Sequence, residues 1–307
     1  MASMFEVGSA GRRGGRSDPR RNEGRDPSPL LLARLIEGEI IPRLLLAHRS
    51  DAVAPVLARV PLGTDSDTVA ASEAAAFVQL VLDLEVHALL AEVEVFLARG
   101  VPVETIYLDL LAPAARGLGV MWDNDTCDFV DVTMGLWRLQ QVVHELASRM
   151  PAPIETSAKR RAFFTVVPGD QHSFGLVMIE EFFRRSGWTT WSASAPTHAD
   201  LAEMVARQWF ELVGFTVTCA EQIAQLPECI RAVRRASKNQ AVAVMVGGRM
   251  FVESPALALE VGADGTAADG RQAVALAEAL LGAVSHSAAS KYATPMEPTP
   301  AMMRRRG

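Results

Sequence analysis

The chain has 307 residues, 49% of them hydrophobic and 21% charged, and a formal net charge of -6. That length allows two modest domains at roughly 150 residues each, and the composition predicts packed cores rather than wholesale disorder. No apolar run reaches the ~18 residues that cross a bilayer, the polar, arginine-rich start is unlike a secretory signal, and the acidic balance excludes a protein-wide footprint for nucleic acid, so a cytoplasmic protein is expected.

Residues 1–28 combine Gly, Arg, Ser and Pro without apolar periodicity and read as a disordered arm. From Leu30 to about Met150 the spacing is helical throughout. Leu31, Leu35, Ile36, Ile40, Leu44 and Leu45 recur at three- and four-residue intervals, with Pro42 as a kink. A second helical segment is expected from about Thr68 through Arg99, closed by Gly100 and followed by Pro102. A third passes Leu108, Leu111 and Leu118 and breaks at Asp123-Asn124-Asp125-Thr126, and a last helix is expected from about Asp128 to Met150. Residues 29–155 therefore read as an all-α helical bundle.

The pattern then changes. Ala162 to Val167 is a short apolar run ending at Pro168-Gly169, as in a parallel strand covered on both faces. Further strands are expected at Thr189 to Ala193, Leu212 to Val217, Ala241 to Val246 and near Gly265-Thr266-Ala267. Helices are expected between them, at Phe174–Arg185, Asp200–Trp209 and Glu221–Ser237, with a closing helix from Arg271 to Leu281. Residues 156–284 thus read as an α/β doubly wound, flavodoxin-like domain with a five-stranded parallel sheet. Its ligand site should lie beyond the carboxyl ends of the strands. Residues 285–307, with three prolines before Arg304, Arg305 and Arg306, read as a flexible tail.

At the end of the first strand stands Asp170-Gln171-His172-Ser173-Phe174-Gly175, a D-x-H-x-x-G motif on a strand-to-helix loop. A neutral imidazole ligates a borderline transition metal such as cobalt, and Asp170 would accept the N–H of the other ring nitrogen, fixing the tautomer and raising basicity. Gly175 removes a side chain where a bulky ligand must pass the first helical turn. Taken alone, an Asp-x-His at a loop is more often a helix cap. Two more features fall on the same rim: Thr216 and Thr218 after the third strand, and Gly247-Gly248 after the fourth. Cys127, Cys219 and Cys229 include no C-x-x-C and match no zinc framework.

These residues resemble the cobalamin-binding fold shared by methionine synthase, the mutases and corrinoid carriers. The D-x-H-x-x-G, S-x-L and G-G signature of that fold is similar to Asp170-x-His172-x-x-Gly175, Thr216-x-Thr218 and Gly247-Gly248 here. The resemblance implies base-off, histidine-on cobalamin: His172 as the lower axial cobalt ligand, Thr216 bonded to the benzimidazole of the displaced tail, and Gly247 and Gly248 shaping its channel. Threonine replaces the family's serine, and Thr218 replaces its leucine. In such relatives a helical cap covers the upper face, and Met121-Trp122 resembles the cap tryptophan. The Glu-His pair that follows it in light-sensing relatives is replaced by Val132 and Thr133. His144 and Glu145 read as a surface pair.

The stretch from Leu35 to Arg49 resembles the opening of the photosynthesis-gene antirepressors of purple bacteria, the AerR/PpaA family. That likeness implies a non-enzymatic, light- or redox-responsive regulator acting on a transcriptional repressor of photosynthesis genes. A DNA contact through the arginine-rich tails is a weaker expectation. The alternatives are a corrinoid methyl carrier and a heme sensor in which His172 ligates iron.

Overall fold

The computed structural model describes residues 67–150, 160–170, 172–194 and 196–292, with 283–292 described as backbone alone. The expected N-terminal arm, the helix around Pro42, the domain boundary at 155/156 and the tail beyond residue 292 lie outside the described residues.

The first half is helical, as expected. α1 (Ala71–Asp83) and α2 (Val86–Ala98) replace the single long helix anticipated between Thr68 and Arg99. No Gly or Pro marks the break at Leu84, which takes an extended conformation. The cause lies elsewhere in the chain. Arg138 donates to the carbonyls of Val81 and Leu82 at 3.1 and 3.0 Å, satisfying the end of α1 from another helix. α2 does end at Gly100, whose φ of 86° closes the helix, while the N–H of Val101 reaches back to the Phe96 carbonyl.

After Pro102 one short turn (Val103–Thr105) leads into a π-helical stretch, Ile106–Leu111, and then α3 (Ala112–Asp123). The expected break follows, with Asp125 at φ 54°. Asp128 caps α4 (Phe129–Arg149), its carboxylate accepting from the N–H of Asp131 at 2.8 Å. The bundle core gathers around Phe77, Leu89, Tyr107, Leu118 and Leu139.

The second half is a doubly wound sheet. β1 (Arg161–Val166), β2 (Thr189–Ala193), β3 (Leu212–Thr216), β4 (Ala243–Gly247) and β5 (Gly265–Thr266) pair in parallel in the order β2-β1-β3-β4-β5. Phe163 and Phe164 show why β1 must be covered twice. Successive side chains point to opposite faces, so Phe163 packs on Phe210 at 5.5 Å and Phe164 on Phe183 at 4.7 Å. α5 (Phe174–Arg185) and α10 (Gly270–Tyr292) cover one face; α6 (His198–Arg207) and α7 (Leu226–Ala236) cover the other.

Three details differ from expectation. Residues 220–225 form a 3-10 turn before α7, because Pro227 fits only a first helical turn. Two short helices, α8 (Arg249–Glu253) and α9 (Leu257–Glu260), follow β4 and are too brief to show periodicity. α10 runs eleven residues past the expected Leu281, to Tyr292, through a stretch with Ala283, Ala288 and Ala289 that favours helix.

The bundle packs against α5, which lends Met178 and Phe182 to the bundle core. Charged contacts bind the two halves at the foot of the sheet. Arg185 bonds Glu104 at 2.6 Å and the Met150 carbonyl at 3.1 Å, and Arg271 reaches Thr105 at 2.8 Å. Burial pushes the Glu104 carboxyl up, but the bonded Arg185 guanidinium outweighs it and holds the carboxyl below its ordinary range. At the rim, Gln140 of α4 donates to Ser173 at 2.9 Å.

Candidate cofactor site

The site is built at the switch point where β1 separates β2 from β3, the position that a doubly wound sheet leaves open. Chain leaving β1 turns at Pro168-Gly169 and delivers Asp170 into the interior, its side chain wholly buried. A buried carboxylate must be compensated, and His172 does this twice. Asp170 Oδ1 accepts the backbone N–H of His172 at 2.9 Å and lies 2.6 Å from its Nδ1. Burial raises the Asp170 pKa, yet the bonds from His172, helped by Gln222, outweigh it and the net direction is down.

An ionised carboxylate only accepts, so the imidazole proton sits on Nδ1 and the Nε2 lone pair is free. The His172 side chain is 52% exposed. Its pKa is raised, chiefly by the bond to Asp170, so the ring is a stronger base than an ordinary histidine. A fixed tautomer, raised basicity and an exposed Nε2 are the properties of a metal-ligating imidazole with its supporting carboxylate. No group of three or more His, Cys, Asp or Glu residues among the described residues forms an all-protein metal site.

The remaining expected residues divide instructively. Thr216 ends β3 with its Oγ1 buried and unbonded, and Asp170 Oδ2 is likewise buried without a hydrogen bond. Such atoms are costly unless something bonds them. Thr218 is exposed, two residues further out. Gly248 is required by the protein itself: its φ is 123°, and a Cβ there would lie 1.9 Å from the Val217 carbonyl oxygen. Gly175 and Gly247 are different, since a Cβ on either would meet nothing within 4 Å. Gly175 also weakens the first turn of α5, so the space it leaves suits a ligand rather than the fold. Orphaned acceptors, open glycines and a half-exposed imidazole on one rim fit a cobalamin lower face.

Trp122 stands at the end of α3, 46% exposed, edge-on to Phe129 at 6.4 Å. Phe129 and Val120 are exposed beside it in the chain. Arg249, which follows Gly248, is held above its ordinary range by its bond to Glu253 and also feels the charge of Asp123. His144 and Glu145 are both exposed, and Glu145 pairs with Arg149 at 3.5 Å. Gln140 and Gln222, which act here, carry no signal in the sequence, because their roles exist only once separate elements meet.

Comparison with known proteins agrees with this geometry. Residues 160–277 match the family model described as "B12 binding domain". The chain is 28% identical over 170 residues to an "Uncharacterized 20.5 kDa protein in bchF-crtJ intergenic region" of Rhodobacter capsulatus, covering 55% of this chain and 88% of that one. Among solved structures, the Methanosarcina barkeri monomethylamine corrinoid protein is similar, with a TM-score of 0.57 and 17% identity over 68% of this chain and 98% of that one. A cobalamin-binding protein from Desulfitobacterium hafniense DCB-2 aligns at 17% identity over 67% of this chain and 98% of that one, with a TM-score of only 0.36. The sheet half is thus a B12-binding type of domain, and it carries a helical bundle on its N-terminal side. No described helix is long and apolar enough to cross a membrane.

Proposed function

We propose that the chain is a cobalamin-binding regulatory protein that holds the cofactor base-off with His172 as its lower ligand. The observation that carries this is the 2.6 Å contact between buried Asp170 and half-exposed His172 at the carboxyl end of β1. Asp170 orients the ring and keeps its proton on Nδ1. Thr216 offers a hydroxyl to the displaced tail, Gly175 and Gly247 leave it room, and Trp122 faces outward from the bundle. Bound cobalamin would supply a cobalt centre whose upper ligand can exchange or be lost to light.

The regulatory part of the reading, an antirepressor of photosynthesis genes without catalytic activity of its own, is supported by the likeness to the Rhodobacter capsulatus protein of the bchF-crtJ region. Its partner would be the repressor of those genes.

Absorption spectra of the purified chain with cobalamin test the site. Wild type should show a base-off, His-on spectrum, and His172→Ala should fold but bind far more weakly or only base-on. An unchanged spectrum and affinity in His172→Ala would refute it. Turnover of methyl-cobalamin with a methyltransferase, without repressor binding, would replace the regulator by a methyl carrier.

A further inference from the structure

Where α4 and α5 lie side by side, α4 turns a mostly polar face, and α5 a mixed one, toward an open groove. α4 presents Trp137, Gln140, Gln141 and His144 at i, i+3, i+4 and i+7, and α5 presents Ser173, Leu176, Val177 and Glu180 at the same spacing. Faces that pack on one another are normally apolar. Here an open groove of about 380 Å³ separates them, bordered by the exposed Ser192 and Ser194 at the carboxyl end of β2.

Most of its polar groups have no use within the fold. Gln140 bonds Ser173, and Glu180 accepts from Thr190 at 3.2 Å. Gln141, His144, Ser192 and Ser194 make no side-chain hydrogen bond or ion pair among the described residues. No lysine or arginine lines the groove and Glu180 does, so it brings no fixed positive charge to a phosphate or carboxylate. Amides and hydroxyls both donate and accept, so the ligand chemistry they match is neutral and bifunctional. Primary carboxamides have that chemistry. The groove also begins at Ser173, one residue from His172, and ends on the strand rim that carries Asp170 and Thr216.

We propose that this groove is the subsite for the neutral carboxamide arms at the periphery of the corrin ring. The inference rests on the cobalamin reading above. Gln141, Ser192 and Ser194 bond those arms, Trp137 forms an apolar wall, and Glu180 rejects a carboxylate in their place. The cap helix α4 thereby contacts the cofactor edge-on, in addition to any contact with its upper face.

The test uses the full chain carrying Gln141→Leu and Ser192→Ala together. Neither side chain has a hydrogen-bond or ion-pair partner among the described residues, so the melting temperature should match wild type. Affinity for both cobalamin and cobinamide, which lacks the nucleotide tail but keeps the carboxamides, should fall roughly 30-fold, the loss expected for two neutral hydrogen bonds. The His-on spectrum at saturation should not change. In a second arm, cobalamin monocarboxylates, each with one carboxamide hydrolysed, are titrated into wild type. At least one isomer should bind about tenfold more weakly than cobalamin, consistent with a site that excludes charge. Wild-type affinity in the double variant, or equal affinity for every isomer, overturns the subsite while leaving His172 ligation standing. A wild type without a His172-dependent spectrum overturns both.

Discussion

Replacing Asp170 by Asn removes the charge behind His172 while keeping the side-chain shape. Oδ1 takes both bonds from His172, at 2.9 and 2.6 Å, so the amide oxygen should settle there and keep the proton on Nδ1. What is lost is the charge assistance. A hydrogen bond to a charged group is worth about 1.5–3 kcal/mol against about 1 for a neutral one. Loss of a carboxylate behind a ligating histidine typically weakens metal affinity about 10–100-fold, or about 1.4–2.7 kcal/mol at the same temperature. The two routes agree, so Asp170→Asn should bind cobalamin 10–100-fold more weakly with the His-on spectrum retained at saturation. Stability should fall by about 1–3 kcal/mol, because the amide nitrogen buries a donor without an acceptor where Oδ2 stood near Gln222. Titration by absorbance and a thermal melt check both points. Unchanged affinity would remove the carboxylate from ligand tuning. A loss as large as that of His172→Ala would mean that Asp170 shapes the loop itself.

The same pair sets a pH dependence. Since Asp170 raises the His172 pKa above 6.5, ligation through Nε2 should be complete above that raised value and fail as pH falls through it. The midpoint of cobalamin affinity against pH should move down in Asp170→Asn; an unmoved midpoint counts against the pair. The two kinds of glycine should separate cleanly. Gly248→Ala meets a carbonyl at 1.9 Å and should destabilise the domain by roughly 3 kcal/mol, lowering the melting temperature by about 6–12 °C, whereas Gly175→Ala should melt no lower than wild type yet bind cobalamin less well. If Gly175→Ala bound normally, the space beside it would not belong to the ligand. Trp122→Ala should keep cobalamin through His172 but lose the cobalamin or light dependence of repressor binding, read by pull-down with and without cofactor. Equal dependence in both proteins would exclude Trp122 from the switch.

How far the sequence could be read follows from the range of the interactions involved. The strands were visible because each is a short apolar run bounded by turn residues, and β1 and β2 fall within a residue of their expected limits. Gly100 and Asp128 mark helix ends through local bonding, and both were legible. The break at Leu84 was not, since the guanidinium that satisfies it comes from Arg138 on another helix. The site shows the same division. Asp170 and His172 are two residues apart and could be paired from spacing alone. Gln140 and Ser173 are 33 residues apart, and nothing in either segment announces the other. Spacing also could not distinguish Gly248, demanded by the Val217 carbonyl, from Gly175 and Gly247, which the fold does not demand.

The distribution of contacts between the two halves bears on how a cofactor could be sensed. At the foot, Arg185–Glu104 and Arg271–Thr105 join the bundle to the sheet domain, and Arg184, itself bonded to Glu181, adds a bond to the Ala147 carbonyl at 3.3 Å. The partly buried Arg185–Glu104 pair resists separation, because parting it leaves charges without partners. Near the rim, the neutral Gln140–Ser173 bond is worth only about 1 kcal/mol net. The bundle is thus anchored by charged contacts at the end away from His172, and beside it by the packing of Phe174 and Val177 and one neutral bond. A ligand that touches both the rim and α4 can shift such an arrangement with ~1–3 kcal/mol of differential contact, the usual scale of coupling between sites. Trp122, Phe129 and Val120 stand exposed at the α3–α4 turn, so a shift of the bundle would be displayed on an apolar surface that a partner protein can read.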